Sequence, residues 1–137
     1  MPILKKILCY LIVGIFSSSL VAAELKQVST PLLDSCDSKN MQATAYSICL
    51  DEAVKQVERE HEAWILQTEN KLTENAKGPQ IDAALYELRK ANKYYQQYIE
   101  SYCRSLFFAN QGSPEAANIF RQCKIKQLRQ RIELLKH

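Results

Sequence analysis

With 137 residues, 47% of them hydrophobic and 24% charged, the chain has material for one modest domain and too little for two. Its formal charge of +3 points to no particular class of partner. Only three glycines and four prolines interrupt it, which leaves long stretches free to form continuous secondary structure.

The first segment, MPILKKILCYLIVGIFSSSLVAA, carries Lys5 and Lys6, then an apolar run from Ile7 to Phe16, then small residues ending in Ala22-Ala23. A basic start, a short apolar core and small residues before the cut are the pattern of a signal peptide, expected here over residues 1–23. The apolar run is shorter than the roughly 20 residues a membrane-spanning helix needs, so no stable membrane insertion is expected after cleavage. Cleavage removes 23 residues and the charges of Lys5 and Lys6, leaving 114 residues at +1. It also removes Cys9. The remaining cysteines, Cys36, Cys49, Cys103 and Cys123, are an even set in an exported chain, which reads as two disulfides in a periplasmic or secreted protein. No C-x-x-C pair occurs, and neither His61 nor His137 is spaced to complete a zinc site, so no metal or other cofactor is expected.

Residues 24–41 form an irregular, partly polar lead, expected to be extended and ordered only by a tether through Cys36. A helical domain is expected over 42–137. From Gln42 to Ala76, Tyr46, Leu50, Val54, Val57, His61, Trp64 and Leu72 recur in steps of three and four, the signature of one helix face. Gly78-Pro79 stops that helix, because glycine accepts the left-handed cap conformation and proline cannot continue the ladder. A second stripe runs through Ile81, Leu85, Leu88, Ala91, Tyr95, Tyr98, Tyr102 and Leu106. Asn110-Gln111-Gly112 ends it. Ser113-Pro114-Glu115 opens the third helix, with serine as N-cap, proline at the first helical position and a carboxylate at the positive end of the dipole. Ala117, Phe120, Leu128, Ile132 and Leu135 mark its inward side.

Three helices joined by short turns hide their stripes by packing antiparallel, so the expected fold is all-α, an up-down-up three-helix bundle with a disulfide-tethered N-terminal segment. Cys103 and Cys123 flank the second turn symmetrically, and Cys49 and Cys103 flank the first in nearly the same way. Two pairings therefore fit the spacing: Cys36–Cys49 with Cys103–Cys123, or Cys49–Cys103 with Cys36–Cys123. The first closes shorter loops and is preferred on that ground.

Cys36 and Cys49 at the start, Leu88 with Ala91 in the middle helix, Cys103 near its end, the Gly112-Ser113 turn, and Cys123 followed eight positions later by Arg131 resemble the N-terminal domain of the LprI-type lysozyme inhibitor family. The likeness spans Cys36 to about Leu135. Asn92, Tyr95 and Ile99-Glu100 stand where that family commonly has Gln, Trp and an Arg-Asp pair, and Ala45 stands where it has Glu. The resemblance implies an exported, non-enzymatic protein that inhibits a lysozyme-like muramidase, presenting an acidic or turn segment to the enzyme's cleft.

Candidate sites follow from the same residues. With the cysteines oxidised, no free thiol is left as a nucleophile, and His61 reads as a packed histidine beside Trp64; no enzymatic activity is expected. Residues 37–75 hold eight acidic and four basic side chains, while residues 115–137 hold six basic and two acidic. Opposite fields on adjacent helices favour assembly of the bundle. The carboxylates Glu58, Glu60 and Glu62 are the candidate contacts to a cationic partner such as lysozyme, the basic third helix being the counterpart for anionic envelope polymers. Tyr86 and Tyr94, toward the flank of the second helix, are candidate anchors for another envelope or secreted protein. Nucleic acid is not an expected partner in an exported compartment.

Overall fold

The computed structural model describes residues 35–75 and 78–137. The expected signal peptide and the lead as far as residue 34 lie outside the described residues. Three helices follow: α1 (Ala43–Asn75), α2 (Gln80–Ala109) and α3 (Ala116–Leu135). At about 1.5 Å per residue they are roughly 50, 45 and 30 Å long.

Cross-helix contacts give the directions. Ser47, Asp51, Glu58 and Thr68 of α1 meet Asn118, Arg121, Lys124 and Leu135 of α3 in ascending order, so these two helices run parallel. Asn92, Tyr95 and Cys103 of α2 meet Arg131, Gln127 and Cys123 in the opposite order, so α2 runs antiparallel to α3. The all-α, up-down-up bundle expected from the periodicity is the fold observed.

Both turns use glycine where the backbone demands it. Gly78 has φ 107° and Gly112 φ 98°, in the region that a Cβ disfavours. At Gly78 a Cβ would also meet Gln80 Oε1 at 2.9 Å. The second turn differs slightly from expectation: Ser113 Oγ accepts the Glu115 N–H at 3.2 Å, its carbonyl accepts the Ala116 N–H, and regular helix starts at Ala116 rather than at Pro114. The hydroxyl still meets a free N–H at the helix start.

Both disulfides follow the shorter-loop pairing, Cys36–Cys49 and Cys103–Cys123. Where the lead is described it turns rather than extends: Asp37 accepts the Lys39 N–H through its carboxylate at 2.8 Å and the Met41 N–H through its carbonyl at 3.0 Å. This Asx-type turn brings Cys36 back to α1.

The core draws on all three helices: Tyr46, Leu50, Ala53 and Val57 from α1, Ile99 and Cys103 from α2, and Cys123, Ile125, Leu128 and Ile132 from α3. Four positions expected inside are outside. Tyr98 and Tyr102 are exposed, as are Ala91 and Ala117. The inward face of α2 centres on Asn92, Ile99 and Cys103, one residue on from the stripe through Ala91, Tyr98 and Tyr102. One residue on a helix is a rotation of about 100°. The rotation has two visible causes: the Cys103–Cys123 bridge aims position 103 at α3, and Asn92 lies inside because it pairs with Arg131.

Candidate functional site

The shortest helix organises the surface. α3 packs against both α1 and α2, whereas α1 and α2 touch each other less. Between them opens a cleft of about 730 Å³. Glu58, His61 and Glu62 line it from α1, Lys93, Gln96, Gln97, Glu100 and Ser101 from α2, and Lys124 and Leu128 from α3.

The three candidate carboxylates part company here. Glu58 and Glu62, one turn apart, both line the cleft, while Glu60 does not. Glu58 is held by Lys124 at 2.8 Å across the α1–α3 seam. Asp51 is gripped by Arg121 through two bonds, at 2.5 and 3.2 Å, and Arg121 also donates to Asn118 Oδ1. Glu69 accepts two bonds from Arg89 of α2, and that guanidinium holds its carboxyl below the usual carboxylate range. Much of the acidic character of α1 is thus spent on holding the bundle together, as the opposite charge of α1 and α3 led one to expect. Glu60 and Glu62 make no ion pair among the described residues.

His61 forms the cleft floor and is 1% exposed. Burial lowers its basicity, the Arg131 guanidinium lowers it further, and Glu62 opposes both. The imidazole is therefore neutral at neutral pH, in line with a packed histidine. No group of three His, Cys, Asp or Glu is placed to hold a metal ion among the described residues.

The outer face of α2 carries the tyrosines. Tyr86, Tyr94, Tyr98 and Tyr102 are 63, 58, 51 and 40% exposed. Tyr98 and Tyr102 stack at 5.6 Å between ring centroids, and Tyr95 tilts against Tyr98 at 6.0 Å. Tyr95 is the root of this row: its hydroxyl donates to the Gln127 carbonyl at 3.0 Å and its ring lies 5.3 Å from the Arg131 guanidinium. Burial pushes its phenol pKa up, partly offset by Arg131. Tyr86 packs beneath Lys90 at 5.6 Å. Tyr94, Tyr98 and Tyr102 follow each other at four-residue intervals, so Tyr94 belongs to the same row while Tyr86 lies two turns before it.

Sequence reasoning singled out Tyr86 and Tyr94 and missed Tyr98 and Tyr102 as surface residues, because counting tyrosine as apolar drew the inward stripe onto them. It also missed the cleft, whose polar lining on α2 recurs at helical spacing from Lys93 to Ser101 and so reads as an ordinary solvated face. Neither a family model, nor a curated protein, nor a solved structure matches this chain.

Proposed function

We propose that this chain is an exported, non-enzymatic binding protein that holds another envelope or secreted protein through the tyrosine face of α2. The observation that carries the reading is the exposed row Tyr94, Tyr98 and Tyr102, two rings of it stacked, on a helix whose inward face through Ile99 and Cys103 is anchored to the core. Tyrosine supplies large contact area at small entropic cost, and rings already stacked lose little further freedom on docking. Crosslinking of all four described cysteines supports a scaffold rather than a thiol enzyme, and disulfides fit the oxidising space outside the cytoplasm.

A partner captured from envelope extract by the oxidised protein tests this directly. Retention should fall at least tenfold for Tyr94→Ser with Tyr98→Ser, two exposed changes that leave the core alone, and stay unchanged for Glu60→Lys with Glu62→Lys. Equal retention by the tyrosine variant would refute the proposed face.

The second reading is the muramidase inhibition implied by the family resemblance. Its support is narrower: Glu60 and Glu62 are the carboxylates near the middle of α1 left without an ion pair among the described residues. Turnover of a panel of muramidases at two salt concentrations discriminates. Salt-sensitive inhibition abolished by reversing Glu60 and Glu62 would favour this reading over the tyrosine face.

A further inference from the structure

Three buried side-chain nitrogens, one from each helix, have no hydrogen-bond partner among the described residues: Nε2 of His61, Nδ2 of Asn92 and Nε of Arg131. They belong to one layer. Arg131 Nη2 donates to Asn92 Oδ1 at 2.6 Å, and the same guanidinium lies close enough to His61 to depress its basicity. His61 and Asn92 are 1 and 5% exposed. Arg131 forms no ion pair with a carboxylate among the described residues.

By chemistry, Arg131 Nε and Asn92 Nδ2 are donors, and neutral imidazole presents a third N–H in the tautomer protonated at Nε2. Buried donors without acceptors are costly, and here they accompany a guanidinium that no described carboxylate pairs with. The layer meets the cleft at His61, which lines it, while Asn92 and Arg131 are not lining residues. We propose that the His61–Asn92–Arg131 layer is an anion site that takes the carboxylate group of an organic acid entering through the α1–α2 cleft.

Charge and shape choose the carboxylate. One guanidinium is matched by one negative charge. A dianion would meet Glu62 and Glu100 on the cleft walls, where Lys124 is already engaged by Glu58. Two planar oxygens suit two donors on neighbouring side chains better than a spherical ion does. Above the floor, Gln96, Gln97 and Ser101 offer hydrogen bonds to whatever the carboxylate is attached to. Both a small free acid and the C-terminus of a peptide share this chemistry.

The test uses the whole chain with both disulfides formed and follows the His61 imidazole resonances by NMR. The probes are sodium acetate, N-acetyl-dialanine, its uncharged C-terminal amide, and sodium chloride at matched ionic strength. Saturable movement of the His61 resonances by acetate or by the peptide acid, and not by the amide or by chloride, is expected. Acetate binding at least as tightly as the peptide acid identifies a free small acid, and tighter binding of the peptide acid identifies a C-terminus. Arg131→Lys, which keeps the charge and loses the Nε donor, should weaken binding at least tenfold with helicity unchanged, and His61→Gln should weaken it less. Resonances that no probe moves, or that chloride moves equally, would mean that the layer binds only water or responds only to ionic strength, and would overturn the site. Should Arg131→Lys not fold, the wild-type titration against chloride and the amide decides alone.

Discussion

The two ends of the α1–α2 pair are built differently. Near the cysteines, Tyr46, Leu50, Ala53, Val57 and His61 are buried on α1, and Ile99 and Cys103 on α2, with both disulfides and the Asp51–Arg121 and Glu58–Lys124 pairs gathered there. Toward the Gly78 turn, no described residue of α1 after His61 and none of α2 before Asn92 is buried. Trp64, Ile65, Leu72, Ile81, Leu85 and Leu88 are only half-covered, and Leu66 is exposed. The cause is the length of α3. It ends at Leu135, opposite Thr68, so the last turns of α1 project roughly 10 Å past it with, among the described residues, only α2 beside them. Two helices cannot enclose a core, which is why an equally apolar stripe is buried at one end and half-wet at the other.

The largest expected contrast is between two leucines of α1. Leu50→Ala, at a fully buried position, should destabilise the chain by about 2–5 kcal/mol in urea unfolding, whereas Leu66→Ala should change stability by less than about 0.5 kcal/mol. Equal effects would erase the distinction between the ends. Next comes Cys103→Ala with Cys123→Ala, which opens a link of sequence separation 20 and should cost about 2–4 kcal/mol. Native-state hydrogen exchange sharpens the same point. Amides of residues 80–88 should exchange through local opening and be little affected by the bridge, while those of residues 99–106 lose protection with global stability.

Smaller effects test the ion pairs. Arg121→Ala removes a bidentate partner of Asp51 and a donor to buried Asn118, and about 1–2 kcal/mol of stability should go with it. Arg89→Ala, at the open end, should unfold at the same urea concentration as the parent, because its pair with Glu69 is solvent-screened.

The smallest effect is that of pH. His61 is less basic folded than its unfolded value of 6.5, burial being the main cause. Below pH 6.5 the unfolded chain therefore binds the proton first, so stability holds above that pH and declines as pH falls toward the folded pKa. Arg131 of α3 and Glu62 of α1 act on the ring, and Glu58 of α1, Lys93 and Glu100 of α2 and Lys124 of α3 line the same cleft. His61→Gln should flatten this part of the pH profile in thermal melts, and an unchanged slope would assign it to the carboxylates instead.

Helix number, turn positions and disulfide pairing were legible because each is local. Gly78-Pro79 and Gly112-Ser113-Pro114 carry their conformational demands in residue type, and the preferred pairing is the one that closes the shorter loops. The stripe of α1, from Tyr46 to His61, was read in its true rotation because its apolar residues are unambiguous. On α2 the amphipathic tyrosines fit either side of the helix, and the stripe was placed one residue off.

By itself the sequence determined a three-helix chain with two crosslinks, since periodicity, turn chemistry and cysteine spacing act over a few residues at a time. Only the tertiary structure decided which face of α2 turns outward, which carboxylates of α1 are consumed by α3, and that His61, Asn92 and Arg131 share a layer. Those outcomes depend on residues 30 to 70 positions apart meeting across helices. No single helix carries the information about what it will meet.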